Sequence, residues 1–214
     1  MSIKKKYTVK SIDSFLTYDW LLHKHYAKRI PSISFSFGLY DVEKILQGVI
    51  TYGMPANYVE MQAWTPFDLL ELNRLVVNEK LEKNALSFFV GKSLNMLPNP
   101  KIIISYSDFE MGHYGYIYQA TNWYYTGIGS VGEKIFMMED GTERHQRHRN
   151  KINMNQVKEV KKTTGKARYY FFCGNVKFKK LMLNKLRYEI LPYPKGDNKR
   201  YDASYQPAIQ TTLF

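Results

Sequence analysis

Lys101–Asp108, KIIISYSD, carries three consecutive isoleucines and then turns polar at Ser105, Tyr106, Ser107 and Asp108. An uninterrupted apolar run of that length reads as a strand buried within a sheet, which commits the chain to a core with layers on either side. A polar tip on a rigid buried strand is also where α/β folds place chemistry, because the following loop reaches a ligand. Here the loop is the Gly-His-Tyr-Gly turn 112–115, followed by an aromatic helix (114–122) and an aromatic strand (123–129). The concentration of Tyr, His, Asp, Asn and Gln over 104–127 reads as a site.

The rest of the chain alternates strand and helix around that segment. Residues 7–12 read as a short strand, and Asp13 or Ser14 is positioned to cap a helix over 15–29. Segments 33–41 and 46–55 form a pair of strands across a short turn. Segment 68–77 is a third strand, with Leu72, Leu75 and Val77 as core candidates. Residues 84–97 have helical periodicity and stop before Pro98. After residue 130 come a charged insertion (139–151), a basic helix (152–162), a strand (167–174), a helix (177–186) and an irregular tail (192–214). The pattern predicts one α/β domain over 1–214, a central mixed, mostly antiparallel sheet flanked by helices, with a basic insertion around 139–162.

At 214 residues, with 44% hydrophobic and 23% charged residues, the chain is long enough to bury a core without disulfides or a structural metal. The single cysteine, Cys173, fits a reducing cytoplasm and a buried position. No apolar run approaches the roughly 18–20 residues of a membrane span. A cytoplasmic protein without a membrane partner is expected.

Thirty-one Lys and Arg against 19 Asp and Glu give a net charge of +12. Such a surplus attracts polyanions, and most of it falls between residues 142 and 200, interleaved with aromatics that stack on unpaired bases. A solvated basic face is the alternative. For nucleic-acid contact the candidates are Arg144, Arg147, Arg149, Lys151, Lys179 and Lys180, with Tyr106, His113, Trp123, Trp64 and Tyr124 as aromatic or loop contacts.

The element order, and the segments ELNRLVVNEKLEKNALSFFVGKSL (71–94) and GYIYQATNWYYTG (115–127), resemble the GNAT acyltransferase fold. A narrower resemblance is carried by HYAKRIP (25–31), ELNRLVV (71–77), SYSDFEMGHYGYIYQATNWYYTG (105–127), RYYFFCGNVKFKKLM (168–182) and PYPKGDNKRYD (192–202). Together these are similar to the Mom family of phage DNA-modification proteins. That resemblance implies conversion of adenine in double-stranded DNA to N6-carbamoylmethyladenine, shielding phage DNA from restriction in the host cytoplasm. An ordinary GNAT N-acetyltransferase acting on a small amine or protein is the other reading.

Within this frame Asp108, Tyr118, His25 and Tyr26 are the catalytic candidates, with His25-Tyr26 carrying the family's His-Tyr signature. Arg74, Asn84, Ser87 and Ser93 are the candidates to hold the group donor. The donor is open between acetyl-CoA and an aminoacyl-tRNA, glycyl-tRNA in particular, because the loop 82–87 lacks the glycines that let a backbone cradle a pyrophosphate. His25, Asp108 and His113 are ligand types that suit iron or zinc, although their spacing matches no compact metal motif. The oligomeric state is open, with a homodimer among the possibilities.

Overall fold

In the computed structural model, residues 2–65, 67–129, 131–197 and 205–207 are described, with Arg147 described by its backbone alone. A four-residue helix α1 (Ile3–Lys6) leads into β1 (Thr8–Ser11), then β2 (Phe35–Tyr40), β3 (Leu46–Gly53), α2 (Tyr58–Ala63) and β4 (Leu69–Val77). There follow α3 (Ala85–Met96), β5 (Lys101–Asp108), α4 (Tyr116–Ala120) and β6 (Tyr124–Gly129). Three strands, β7 (Lys134–Met138), β8 (Glu143–His145) and β9 (Val157–Lys162), precede β10 (Lys166–Cys173) and α5 (Val176–Lys185). The expected strands at 7–12, 33–41, 46–55, 68–77, 101–108, 123–129 and 167–174 and the expected helices at 84–97, 114–122 and 177–186 are present, and no helix of the described residues is long and apolar enough to cross a membrane.

Seven strands form one sheet in the order β1-β2-β3-β4-β5-β10-β6, antiparallel except for β4 against β5. One face is covered by α3 and α4 over the largest core, which includes Phe37, Leu39, Ile50, Tyr52, Leu72, Phe89, Ile103, Trp123 and Tyr169. The opposite face carries two smaller apolar clusters. Trp20, Leu21, Tyr40, Leu46, Val49 and Val76 form one, while Trp64, Ile102, Ile104, Tyr170, Phe172 and Met182 form the other.

The β4–β5 pair decides where the site lies. Its pairing covers only Leu69↔Ile102, Leu70↔Ile103 and Glu71↔Ile104, although β4 continues to Val77 along β3 and β5 to Asp108 along β10. Beyond Glu71 and Ile104 the two strands diverge and a cleft opens. Ser105 bridges its apex, its Oγ 2.7 Å from the Leu72 carbonyl oxygen and 2.8 Å from the Tyr118 hydroxyl.

A bulge in β4 sets which residues face the cleft. Thr51 pairs with Arg74 and Tyr52 with Leu72, so Asn73 is extra. Its side chain accepts from Thr51 Oγ1 at 2.6 Å and donates to the Ser32 carbonyl at 2.7 Å. The bulge explains the uneven spacing of Leu72, Leu75 and Val77: all three pack on the major core, and Glu71 and Arg74 share the opposite face.

Two expectations change. The helix 15–29 is a 3₁₀ turn (Ser14–Thr17) followed by a π-helical turn (Trp20–Lys24), and it ends at His25, whose backbone is extended. The basic helix expected at 152–162 is a 3₁₀ turn (Met154–Gln156) and strand β9. It pairs with β7, and Phe136, Met138, Ile152 and Val157 form a small core of their own.

Candidate active site

Between the two apolar clusters of the open face runs a polar strip built from three strands. Glu71 and Arg74 come from β4, Tyr106 and Asp108 from β5, and Lys166 and Arg168 from β10, whose register places Lys166 opposite Asp108 and Arg168 opposite Tyr106. The π-helical turn releases the chain so that His25 and Tyr26 meet this strip rather than continuing a helix. Tyr26 stacks on His25 with ring centroids 4.4 Å apart, and His113 meets Tyr26 edge-on at 5.7 Å.

Asp108 carries two duties. Its Oδ1 accepts from the Glu110 N–H at 3.1 Å, capping a 3₁₀ turn (Phe109–Met111), while Oδ2 sits 2.9 Å from Lys166 Nζ. The turn closes with His113 N–H donating to the Asp108 carbonyl at 3.0 Å. Gly115 begins α4 at φ +71, and a Cβ there would lie 2.5 Å from the Tyr169 hydroxyl, which itself donates to the Tyr114 carbonyl. Glycine at 115 is therefore a requirement of the close turn that brings His113 back over β5.

The electrostatics follow from this crowding. Burial pushes the His25 imidazole down to about 3, with Arg74, His113, Lys166 and Arg29 adding to the effect. His25 is thus neutral at physiological pH. Its Nδ1 accepts from the Ala27 N–H at 3.0 Å, which assigns the ring proton to Nε2. Burial also raises the Tyr26 phenol, against the pull of Lys166. Lys166 is lowered by burial but raised on balance by Tyr26 and Asp108. Glu71 is raised by burial, and its carboxylate accepts from the Ala56 N–H at 3.3 Å. The strip and the segments over it thus bring together the neutral His25 imidazole with its Nε2–H as donor, His113, the Asp108–Lys166 pair, Glu71, and the guanidinium groups of Arg74 and Arg168.

Of the residues singled out from sequence, His25, Tyr26, Arg74, Asp108 and His113 converge here. Tyr118 lies behind the apex of the cleft, only 7% exposed and bonded to Ser105. Ser93 is a correction: it is fully buried on the inner side of α3, with Tyr52 Oη at 2.7 Å and its own hydroxyl donating to the Val90 carbonyl, so no donor molecule reaches it. Trp123 is another, fully buried between Tyr118 and Phe171, and Trp64 likewise packs in the core against Tyr170 and Phe172. Large aromatics beside a polar motif look like base-stacking platforms in sequence, but here they fill the space under it. Asn84 (φ +71) and Ser87 sit at the start of α3, where Ser87 Oγ donates to the Asn84 carbonyl and Glu82 pairs with Lys6 at 2.5 Å.

Arg144 on β8, and Arg149 and Lys151 in the 3₁₀ turn after it (Gln146–Lys151), are exposed on an arm built on the three-stranded sheet β8-β7-β9, which prolongs the β6–β10 pair at its Lys166–Gly129 end, the end that carries Asp108. Thr164 N–H donates to Glu110 Oε1 at 2.9 Å, tying this arm to the site loop. Lys179 and Lys180 on α5 follow the other end of β10, on the order of 20 Å away along the strand. Tyr106 and Tyr124 are half-buried. Among the described residues no group of three or more His, Cys, Asp or Glu side chains is gathered to hold a metal ion, so His25, Asp108 and His113 do not form one.

Lys166 and Glu71 were not singled out from sequence. Lys166 was one basic residue among many; only its long-range register with Asp108 distinguishes it. Glu71 had a signal, since it and Arg74 are opposite charges in an otherwise apolar strand.

The profile of the Mom protein family matches residues 6–207. This chain belongs to the Mom family. A relative, "Methylcarbamoylase mom" of Escherichia phage Mu, is 26% identical over 211 residues, spanning 89% of this chain and 85% of that protein. Among solved structures, a spermidine/spermine N-acetyltransferase SpeG from Vibrio cholerae in complex with manganese ions aligns at TM-score 0.46 and 10% identity. It covers 86% of this chain and 99% of that one. A GNAT-family acetyltransferase from Bacillus cereus aligns at TM-score 0.40 and 12% identity, covering 78% and 96%. Four of the five stretches that carry the Mom resemblance in the sequence, 25–31, 71–77, 105–127 and 168–182, supply His25, Tyr26, Arg74, Asp108, His113 and Arg168.

Proposed function

We propose that this Mom-family chain is a phage enzyme that converts adenine in DNA to N6-carbamoylmethyladenine and so protects phage DNA from host restriction. The observation that carries the reading is the convergence of His25-Tyr26, Arg74 and the Asp108–His113 loop from separate segments into one cleft. A family match over nearly the whole chain and the name of the phage Mu relative support it.

In this reading Asp108 accepts the proton from the adenine 6-amino nitrogen as that nitrogen bonds to the donor's acyl carbon and the acyl–oxygen bond to tRNA breaks, the tRNA leaving with a free hydroxyl. The glycyl group so transferred is an isomer of carbamoylmethyl and reaches it by rearrangement, and Lys166 holds the carboxylate in place. Tyr26 and the Nε2–H of His25 orient the base. Arg74, whose Nη1 already donates to the Asn73 carbonyl at 2.5 Å, supplies positive charge where the group donor meets the base. Arg144, Arg149 and Lys151 on the arm hold the DNA backbone. An aminoacyl-tRNA is the better-supported donor. The start of α3 offers no glycine, and the Glu82 carboxylate already stands beside the helix terminus that a CoA pyrophosphate would need.

Expression in bacteria, followed by digestion of plasmid DNA and mass spectrometry, tests the reading. A deoxyadenosine heavier by one carbamoylmethyl group is expected, and Asp108→Asn should remove it. Unmodified plasmid from cells containing soluble protein, together with acetylation of a small amine by the purified chain, would favour the acetyltransferase reading instead.

A further inference from the structure

The segment between β3 and β4 presents three large apolar side chains to solvent within six residues. Met54 is 58% exposed, Tyr58 67% and Val59 59%, the last two in the first turn of α2. Exposed apolar residues placed singly are ordinary; three on one short tip are not.

The tip is mounted with unusual firmness. The next residue, Glu60, is 1% exposed and points inward, where its carboxylate accepts from the Tyr170 hydroxyl at 2.5 Å and the Tyr188 hydroxyl at 2.7 Å. Arg168 lies 3.9 Å from Glu60, and its guanidinium stacks 3.3 Å above the Tyr188 ring. Asn57 caps the helix by accepting from the Val59 N–H at 3.1 Å. Gln62 Nε2 donates to the Tyr58 hydroxyl at 3.0 Å, holding the exposed ring upright. A buried carboxylate satisfied by two phenols and a guanidinium fixes a position; it does not by itself call for exposed apolar residues beside it.

The tip also borders the candidate active site. The Ala56 N–H donates to Glu71, and Asn57 lies against Tyr106, both members of the polar strip. An enzyme that works on the amino group of a paired adenine must take the base out of the stack, and proteins that do so commonly insert apolar side chains between base pairs. A protein partner would need roughly 800 Å² of each surface, more than three side chains, two of them on a six-residue helix and one just before it, supply. Three side chains suit a gap between two base pairs.

We infer that Met54, Tyr58 and Val59 form a wedge that enters the duplex beside the target and fills the space left by the extruded adenine. This rests on the DNA-modification reading above and adds to it the means of reaching the base.

The test compares wild type with the double variant Tyr58→Ala, Val59→Ser on two substrates, a duplex and the same strand unpaired. Clarified bacterial extract serves as the source of the donor, and modified deoxyadenosine is read by mass spectrometry. The wedge predicts a loss of about tenfold or more on the duplex and near-wild-type yield on the single strand, where no stacking must be broken. Equal yields on the duplex, or equal losses on both substrates, overturn it.

A second readout needs no donor. Wild type should raise the fluorescence of a duplex carrying 2-aminopurine, and the double variant should bind the same duplex without that rise. No rise with wild type also overturns the wedge. Absence of modified deoxyadenosine with wild type on either substrate would instead count against the DNA-modification reading, leaving the fluorescence experiment to decide the wedge alone. A change in oligomeric state of the double variant in sedimentation, with fluorescence unchanged, would assign the tip to a subunit contact and overturn the proposal.

Discussion

Asp108 has the two properties asked of a catalytic carboxylate: it is held, and it is reachable. Its Oδ1 is fixed by the Glu110 N–H and its Oδ2 by Lys166, while 12% of the side chain remains exposed in the cleft. Asp108→Asn keeps the size and the cap acceptor but removes the base, so modified deoxyadenosine should fall by about 10²–10⁴-fold with little change in melting temperature. Lys166→Ala should lower yield less, and Lys166→Arg should recover part of it, because either cation can hold Oδ2. A melting temperature that falls in step with yield for Asp108→Asn would make this residue a structural cap alone. Ser105 answers to a different measurement. Removing its hydroxyl strands the Leu72 carbonyl and the Tyr118 phenol at the apex, so Ser105→Ala should cost about 1–3 kcal/mol in urea unfolding. Retained stability would mean that the apex relaxes around the missing group.

The arm β7–β9 is the element whose purpose is most open to measurement. Its outer strand β9 bears Lys158, Lys161 and Lys162, and charged edge strands also prevent sheet-to-sheet association. Arg144 lies on β8, the other edge of the arm, and Arg149 and Lys151 on the 3₁₀ turn after it (Gln146–Lys151), away from any strand edge. Reversing these three to Glu should leave the fold intact, weaken DNA binding, and flatten the dependence of log affinity on log salt by about one for each phosphate that is no longer neutralised. Unchanged affinity at moderate salt would remove the arm from the DNA interface. Element by element, the seven-stranded frame was legible because its strands carry period-two or wholly apolar runs, and α3 because its apolar residues recur at helical spacing. The arm was not, since residues 152–162 are dense in lysine and helix-neutral, and only pairing with Ile135–Met137 makes β9 a strand. At the site, the Asp108–His113 turn was legible from its glycines, and His25-Tyr26 from its likeness to the family. Lys166 and the wedge were not, because one depends on long-range register and the other on exposure, and sequence reports neither.

The molecule as a whole should be acid-sensitive, for reasons located in the same cleft. His25 titrates near 3 in the fold against about 6.5 in an unfolded chain, so between those values the unfolded state binds the extra proton. Stability is therefore fully present above about pH 6.5 and is lost as pH falls toward about 3. His113, lowered by burial, acts in the same direction over the same side of its ordinary value. Glu79 is raised by burial but lowered on balance by Lys24, so its contribution too is present at neutral pH and lost in acid. Glu71, raised by burial, works the other way, its stabilising contribution belonging to acid and fading as pH rises through its folded value. Three groups oppose one, and the surplus of 12 positive charges grows as carboxylates protonate, adding self-repulsion. Melting temperature should rise steadily from pH 4 to pH 6.5 and level off above it. His25→Gln keeps a polar, uncharged side chain of similar reach and should remove a substantial part of that rise while costing little at pH 7.5. A flat profile for the unsubstituted protein, or an unaltered slope in His25→Gln, would mean that His25 gains a proton in the fold almost as easily as in water and is not shielded from solvent beside Tyr26 and Arg74.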